Sequence, residues 1–352
     1  MDLRAELQAT LGGTHVIEQE LGGGGMSRVF IATETALGRR VVIKLLAPEL
    51  AQSVSGDRFK REIRLAGQLH HPHIVPLLLA GSTANGLPYY TMPYIEGESL
   101  RARLQRTGEL PVEGVIATLH DVASALAYAH GRGVVHRDIK PENIMFDGDV
   151  AVVMDFGVAK ALADSSIERI SGPRTTAGMA VGTPAYMSPE QAAGDPGTDH
   201  RADIYTLGMV AYEMLTGHAP FEGLPFHKLR VAHATESPKQ VAEVRPATPA
   251  PLASLVMRCL AKSPADRPQS ALDVLEVLEP LEMLEVSKVF EMPEEPEGPD
   301  VPEGAVDPPD MELVGSPLPR SGPLAWAGAV FLVALIVAGG FAIAYCGGGR
   351  GA

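Results

Sequence analysis

One short segment of the sequence, residues 136–143 (His-Arg-Asp-Ile-Lys-Pro-Glu-Asn), concentrates side chains that phosphoryl transfer would require. Asp138 could accept the proton of an attacking hydroxyl, and Lys140 could neutralise charge on the transferred group. Asn143 could hold a magnesium ion together with Asp155, which opens Asp-Phe-Gly twelve residues after Asn143. Because both motifs occur in this order, the sequence favours a phosphoryl-transfer site over a chance loop of charged residues.

A glycine-rich segment, residues 21–29 (LGGGGMSRV), lies between two strand-like runs near the N-terminus. Glycines let the backbone approach phosphates closely and point N–H groups at them. The segment is not a P-loop, because no Gly-Lys-Ser/Thr follows, and a flexible turn is the alternative interpretation. It fits the pattern G-x-G-x-x-G-x-V with Ser27 at the third glycine. The predicted nucleotide-binding residues here are Leu21, Gly22, Gly23, Gly24, Gly25 and Val29.

Lys44 ends the apolar run Val-Val-Ile-Lys, which predicts a half-buried strand. Alone, such a lysine could simply be a solvated residue at a sheet edge. Glu62 lies in DRFKREIRLAGQL, where Phe59 and Ile63 belong to a helical repeat. One carboxylate on that helix could pair with Lys44 and aim its amine at the α- and β-phosphates of a nucleotide.

The order and spacing of these motifs resemble those of the eukaryotic-like (Hanks-type) serine/threonine protein kinases, particularly the bacterial membrane-anchored ones. The resemblance covers residues 15–278 and includes HPHIV at 71–75 and GTPAYMSPE at 182–190. It implies an α+β, two-lobed protein kinase fold with the domain at 15–280. The expected N-lobe, about 15–95, has a five-stranded antiparallel sheet with one helix, and the C-lobe, about 96–280, is mainly helical.

The resemblance also implies the remaining binding residues. ATP would lie in the cleft against Val42, Met145 and an interlobe hinge containing Met92, Pro93 and Ile95. Pro93 lacks an N–H, but its carbonyl can still accept from the adenine amino group while the Ile95 N–H donates. A further set of residues is implied to be structural: Glu190 paired with Arg267, and Asp203 supporting the catalytic loop.

The implied reaction transfers the γ-phosphate of ATP to serine or threonine hydroxyls of protein substrates, with Mg²⁺ as the metal and Mn²⁺ possible. In this family Lys140 and Thr183 accompany Ser/Thr rather than Tyr acceptors. Thr175 and Thr176 are candidate self-phosphorylation sites, because a phosphate there could reach Arg137.

Two other functions remain open at this stage. A pseudokinase binding module would have lost one of the key residues Lys44, Asp138, Asn143 or Asp155, and the sequence has all four. A small-molecule kinase would not be expected to carry the GTPAYMSPE segment or the Asp203 and Arg267 supports.

Outside the kinase-like region, composition changes sharply. The net charge is −14, and residues 281–320 carry eleven acids, with no basic stripe in the chain that would predict nucleic-acid binding. Residues 285–320 hold eight prolines, which predicts a disordered acidic linker. Two widely separated cysteines fit a reducing compartment.

Residues 324–346 form a run of 23 residues without a charge, long enough at ~1.5 Å per residue to cross a bilayer. A buried core helix is the alternative. The prediction is a single-pass protein of the cell membrane, in contact with lipid through 324–346. Its kinase domain would be cytoplasmic, with about six residues beyond the helix. Alanines at four-residue spacing in this run, Ala334, Ala338 and Ala342, could support a homodimer.

Overall fold

The computed structural model of the protein describes residues 2–24, 27–48, 56–156 and 184–290, which lie in one unit spanning residues 1–292. An antiparallel sheet of five strands in the order β1-β2-β3-β5-β4 forms the first lobe. The strands are β1 (His15–Gly24), β2 (Ser27–Glu34), β3 (Arg39–Leu46), β4 (Leu79–Ser82) and β5 (Pro88–Pro93). Two helices accompany the sheet, α1 (Leu3–Leu11) and α2 (Gly56–Ala66).

The outer face of the sheet packs against α1, an element that the sequence did not predict. Leu7 and Leu11 are buried in a cluster with strand residues that include Phe30 and Ile43. The Gln8 side chain ties the helix to β1, because its Oε1 accepts from the Ile17 N–H at 2.8 Å and its Nε2 donates to the His15 carbonyl at 3.1 Å. The folded lobe therefore includes residues ahead of the predicted start at 15.

The opposite face of the sheet looks into the cleft. Residues directly across an antiparallel pair share a face, and the register places Lys44 between Val29 and Tyr90. Two residues earlier on β3, and on the same face, Val42 lies between Ile31 and Met92. This face therefore combines the predicted phosphate-binding lysine with an apolar surface.

The second lobe is mainly helical and surrounds α6 (Arg201–Thr216), of which nearly every residue is buried, including Asp203. Its other helices are α3 (Leu100–Thr107), α4 (Val112–His130), α5 (Pro189–Ala193), α7 (Phe226–Thr235), α8 (Val241–Val244), α9 (Ala250–Cys259) and α10 (Ala271–Phe290). A two-stranded hairpin, β6 (Ile144–Asp147) with β7 (Val150–Val153), lies at the cleft side. The two-lobed α+β fold predicted from the sequence is confirmed.

Helix α10 extends further than the sequence indicated. It ends at Phe290, beyond the predicted domain end at 280 and the predicted linker start at 285, although Pro280 lies inside it. Within the described part of the chain, no helix combines the length and apolar character needed to cross a bilayer. The predicted membrane helix, 324–346, and the rest of the predicted linker lie outside the described residues.

Candidate active site

The predicted catalytic residues converge in the loop before β6. Oδ2 of Asp138 accepts from Lys140 Nζ at 2.7 Å and from Asn143 Nδ2 at 3.1 Å. Asn143 Nδ2 also donates to the Asp138 carbonyl at 2.8 Å. Because the amide nitrogen of Asn143 is directed at Asp138, its amide oxygen points the other way and can serve as a ligand.

Buried Asp203 on α6 holds the backbone of this loop. Its carboxylate accepts from the N–H groups of His136 at 2.8 Å and Arg137 at 2.7 Å, and from His130 Nε2 at 2.8 Å. Burial raises the pKa of Asp203, but hydrogen bonding and charge interaction with His130 outweigh it and keep the pKa below its usual value. Arg137 has φ 69°, a left-handed conformation that costs about 1–3 kcal/mol outside glycine, and the Asp203 bonds hold it there. The predicted supporting role of Asp203 is confirmed.

His136 connects the loop to the Asp155-Phe156 segment. Its Nε2 lies 2.7 Å from the Met154 carbonyl, and its Nδ1 accepts from the Asp138 N–H at 3.2 Å. Since a carbonyl can only accept, the ring proton lies on Nε2. The ring also packs edge-on against Phe156, with centroids 4.6 Å apart. Asp138 and Asp155 are thereby positioned by one side chain.

Asp155 receives a donor on each carboxylate oxygen. Lys44 Nζ forms an ion pair with Oδ2, and the Tyr90 hydroxyl donates to Oδ1 at 3.0 Å. Burial raises the pKa of Asp155, but the positive charge of Lys44 and its hydrogen bond bring the pKa below its usual value. The carboxylate is therefore charged at neutral pH, as a metal ligand must be.

Glu62 is buried on α2, with 8% of its surface exposed. The sequence predicted that it would pair with Lys44, and that pairing stays a prediction; the ion pair of Lys44 among the described residues is the one with Asp155.

The apolar residues predicted to contact the adenine come together between the lobes. Val42, Met92, Ile95 and Met145 belong to one cluster that also includes Tyr90. The residues at the end of β1 are exposed, namely Leu21, Gly22 and Gly23. Gly24 ends the strand, whereas Gly25, Thr175 and Thr176 lie outside the described residues.

The hinge backbone is oriented by its bond to β3. The Tyr94 N–H donates to the Arg40 carbonyl at 3.3 Å. Backbone groups alternate in direction along an extended chain, so the Pro93 carbonyl and the Ile95 N–H point away from β3. The departure of Pro93 from the usual sequence pattern leaves both groups in place.

Two contacts that stabilise the site differ in whether the sequence predicted them. Arg267, fully buried, makes a two-point ion pair with Glu190 at 2.7 and 2.8 Å, which confirms the predicted pairing. The contact of Tyr90 with Asp155 was missed. The signal available was position alone, because Tyr90 lies two residues before Met92 and must share its face of the strand.

The comparison with known proteins covers the same part of the chain. The sequence profile described as "Protein kinase domain" matches residues 15–278. The chain belongs to the protein kinase family. This kinase is 40% identical over 265 residues to serine/threonine-protein kinase pkn3 of Myxococcus xanthus, which covers 72% of this chain and 47% of that protein. It is also 40% identical over 259 residues to serine/threonine-protein kinase PknB of Mycobacterium leprae, covering 72% and 40% of the two chains.

These relatives confirm the resemblance to bacterial Hanks-type serine/threonine kinases. The kinase spans less than half the length of the two relatives. Among solved structures, the kinase domain of Mycobacterium tuberculosis PknI matches with a TM-score of 0.58 and 26% identity. That match covers 76% of this chain and 96% of the other.

Proposed function

We propose that this kinase transfers the γ-phosphate of ATP to serine and threonine hydroxyls of proteins. The observation that carries the proposal is that Asp138 is bonded to Lys140 and Asn143 in one loop, while Lys44 of the sheet is paired with Asp155. The named relatives, which are serine/threonine-protein kinases, support the acceptor class.

The cleft supports adenine binding between Val42 and Met145, with the Pro93 carbonyl and Ile95 N–H as hydrogen-bonding partners for the ring edge. Below it, Lys44 would exchange Asp155 for the α- and β-phosphates, since a phosphate carries more charge than one carboxylate. The glycines after Leu21 would cover the phosphates through their N–H groups. Pairing of Lys44 with Glu62 stays a prediction for the nucleotide-bound kinase.

The donor set at the phosphate end fits magnesium. Asp155 offers a charged carboxylate and Asn143 an amide oxygen, and hard oxygen ligands of this kind suit Mg²⁺ and also Mn²⁺. Few protein ligands are needed, because Mg²⁺ in such sites is completed by substrate phosphates and water. When bound, the metal would neutralise charge on the phosphate oxygens.

Asp138 and Lys140 would act on the acceptor. The Asp138 carboxylate orients the serine or threonine hydroxyl and accepts its proton, and Lys140, 2.7 Å away, is placed to contact the transferred phosphate. The bonds from Asp203 hold the loop so that neither group has to reorganise during transfer.

The test is transfer from radiolabelled ATP to a generic protein substrate, followed by identification of the labelled amino acids. We expect phosphoserine and phosphothreonine, with Asp138→Asn slowing transfer about 10²–10⁴-fold. Binding of nucleotide without any transfer would identify a pseudokinase instead. Label on a small metabolite rather than on protein would identify a small-molecule kinase.

We also propose that residues 324–346 anchor the kinase in the cell membrane with its catalytic domain in the cytoplasm. The support is the run of 23 residues without a charge. Removal of 324–346 should shift the kinase from the membrane to the soluble fraction. Recovery of both forms in the same fraction would contradict the anchor.

A homodimer through Ala334, Ala338 and Ala342 is a further proposal. Replacing all three alanines by leucine should then reduce self-association in the membrane.

A further inference from the structure

Tyr90 is a buried residue that the proposed reaction does not yet use. It lies on β5 directly across from Lys44, with 2% of its surface exposed. Its ring belongs to the apolar cluster that includes Met92 and Ile63. A phenylalanine would fill the same volume, so the hydroxyl has a purpose that packing does not explain.

Within the described part of the chain, that hydroxyl donates to the Oδ1 atom of Asp155 at 3.0 Å. Lys44 takes the other oxygen, Oδ2. Hydrogen bonds to charged groups are the stronger kind, and they matter most where water is excluded. The two oxygens of Asp155 are therefore held by different donors, one from a mobile aliphatic chain and one from a rigid ring.

The two donors differ in what nucleotide binding would do to them. Lys44 is expected to leave Asp155 for the phosphates, because a flexible lysine can reach either group. Tyr90 cannot follow, since its ring is fixed by packing against β5 and α2 neighbours. Asp155 itself has φ 65°, a left-handed conformation that is unfavourable outside glycine, so its position depends on the contacts that hold it. After Lys44 departs, Tyr90 remains to hold the carboxylate.

We propose, resting on the proposed function, that Tyr90 is a positioning residue for the metal ligand Asp155. Its hydroxyl fixes Oδ1 and leaves Oδ2 as the oxygen that changes partner, from the Lys44 ammonium to the metal ion. Outer-shell partners of ligating groups commonly change metal affinity about 10–100-fold when removed.

The test measures Mn²⁺ binding by loss of the free-ion EPR signal, using the full chain with a non-hydrolysable ATP analogue. We expect Tyr90→Phe to weaken Mn²⁺ binding about 10-fold or more. In assays the Mg²⁺ concentration for half-maximal rate should rise in parallel, while kcat at saturating Mg²⁺ stays within about 3-fold. Tyr89→Phe is the matched control, because Tyr89 lies in the outer-face cluster, and its Mn²⁺ affinity should equal that of the wild type.

Tyr90→Met separates the hydroxyl from ring shape. Equal weakening in Tyr90→Phe and Tyr90→Met supports the hydroxyl, whereas weakening in Tyr90→Met alone overturns the proposal. Unchanged or tighter Mn²⁺ binding by Tyr90→Phe also overturns it, and tighter binding would mean that the hydroxyl competes with the metal. A wild-type chain that binds no Mn²⁺ with nucleotide overturns the proposed function and this inference together. Normal wild-type binding with an unaffected Tyr90→Phe overturns this inference alone.

Discussion

At the residue scale, the main feature of the cleft is that its buried charges are paired. Asp155 and Lys44 are each mostly buried, with 17% and 14% of their side chains exposed, and each is the other's counter-ion. Removing one partner of such a pair is costly because the remaining charge has neither water nor a counter-ion. Lys44 therefore contributes to stability in addition to its proposed role in phosphate binding.

Lys44→Met should abolish transfer and also destabilise the fold by about 2 kcal/mol at neutral pH. Without Lys44, burial raises the pKa of Asp155, so lowering the pH protonates the carboxylate in the folded state and reduces the penalty. Urea unfolding at neutral and mildly acidic pH measures this directly. The double variant Lys44→Met/Asp155→Asn should regain most of the stability and none of the activity. An equal penalty with and without Asp155→Asn would show that the ion pair is not the cause.

Lys262 gives a second prediction from a partly buried cation. Its Nζ lies 5.0 Å from the Phe221 ring centroid and 5.6 Å from that of Tyr205. Burial, followed by the nearby charge of Arg267, lowers the pKa of Lys262 to about 8. Between about pH 8 and 10.5 the unfolded chain therefore holds more protons than the folded one, and folding stability rises with pH across this window.

Thermal and urea unfolding of Lys262→Met beside the wild type should show this rise. Their difference in unfolding free energy should move by about 1 kcal/mol in favour of the wild type above pH 8, a value reduced for the exposed half of the side chain. The matched control is Lys239→Met at an exposed position, where the difference should stay constant with pH. A constant difference for Lys262→Met as well would contradict the prediction.

At the element scale, the chain just after the hinge approaches the backbone of β6 so closely that position 97 has no room for a side chain. A Cβ at Gly97 would lie 1.8 Å from the Phe146 carbonyl oxygen. The same stretch is joined to β6 by the Phe146 N–H, which donates to the Glu98 carbonyl at 3.0 Å. Met145, predicted to contact adenine, sits on this strand. The spacing between the hinge and β6 would therefore set the width of the proposed nucleotide pocket.

Gly97→Ala should separate the hinge from β6, because backbone atoms on both sides have to move. We expect nucleotide affinity to fall about 10-fold and stability to fall by about 2 kcal/mol, as for other strained core substitutions. Fluorescent-nucleotide binding and thermal unfolding measure the two effects. Gly114→Ala on α4 is the control, because a Cβ there meets nothing within 4 Å and a helical alanine is favourable. Unchanged nucleotide affinity in Gly97→Ala would show that the hinge does not depend on this contact.

Elements and contacts could be predicted from the sequence where a short local pattern of residues encodes them. The sheet and α2 follow from short apolar runs and a helical repeat, and the loop containing Asp138 follows from its motif. Helix α1 was missed, since its face consists only of leucines four residues apart, Leu3, Leu7 and Leu11. The contact of Tyr90 with Asp155 joins residues 65 positions apart, and no local pattern encodes such a pairing.

At the scale of the whole molecule, Arg137 links the loop that contains Asp138 to α5 and to the segment that follows α5. Its carbonyl accepts from Gln191 Nε2 at 2.8 Å, and its guanidinium reaches the Thr198 carbonyl at 3.5 Å. Its Nε is buried without a hydrogen-bond partner among the described residues. A half-buried cation beside Asp138 is a suitable receptor for a phosphate group.

The candidate residues to carry that phosphate, Thr175 and Thr176, lie outside the described residues, so their role stays a prediction. A phosphate there adds about −1.5 to −2 charge and could bond to Arg137. After incubation with Mg-ATP, mass spectrometry should find phosphate on Thr175 or Thr176 in the wild type and none in Asp138→Asn. Thr175→Ala/Thr176→Ala should lower activity about 10-fold or more, since one such bond contributes roughly 1.5–3 kcal/mol. Ser165→Ala/Ser166→Ala is the matched control and should keep full activity. An unphosphorylated segment in a fully active kinase would mean that Arg137 is satisfied without phosphate.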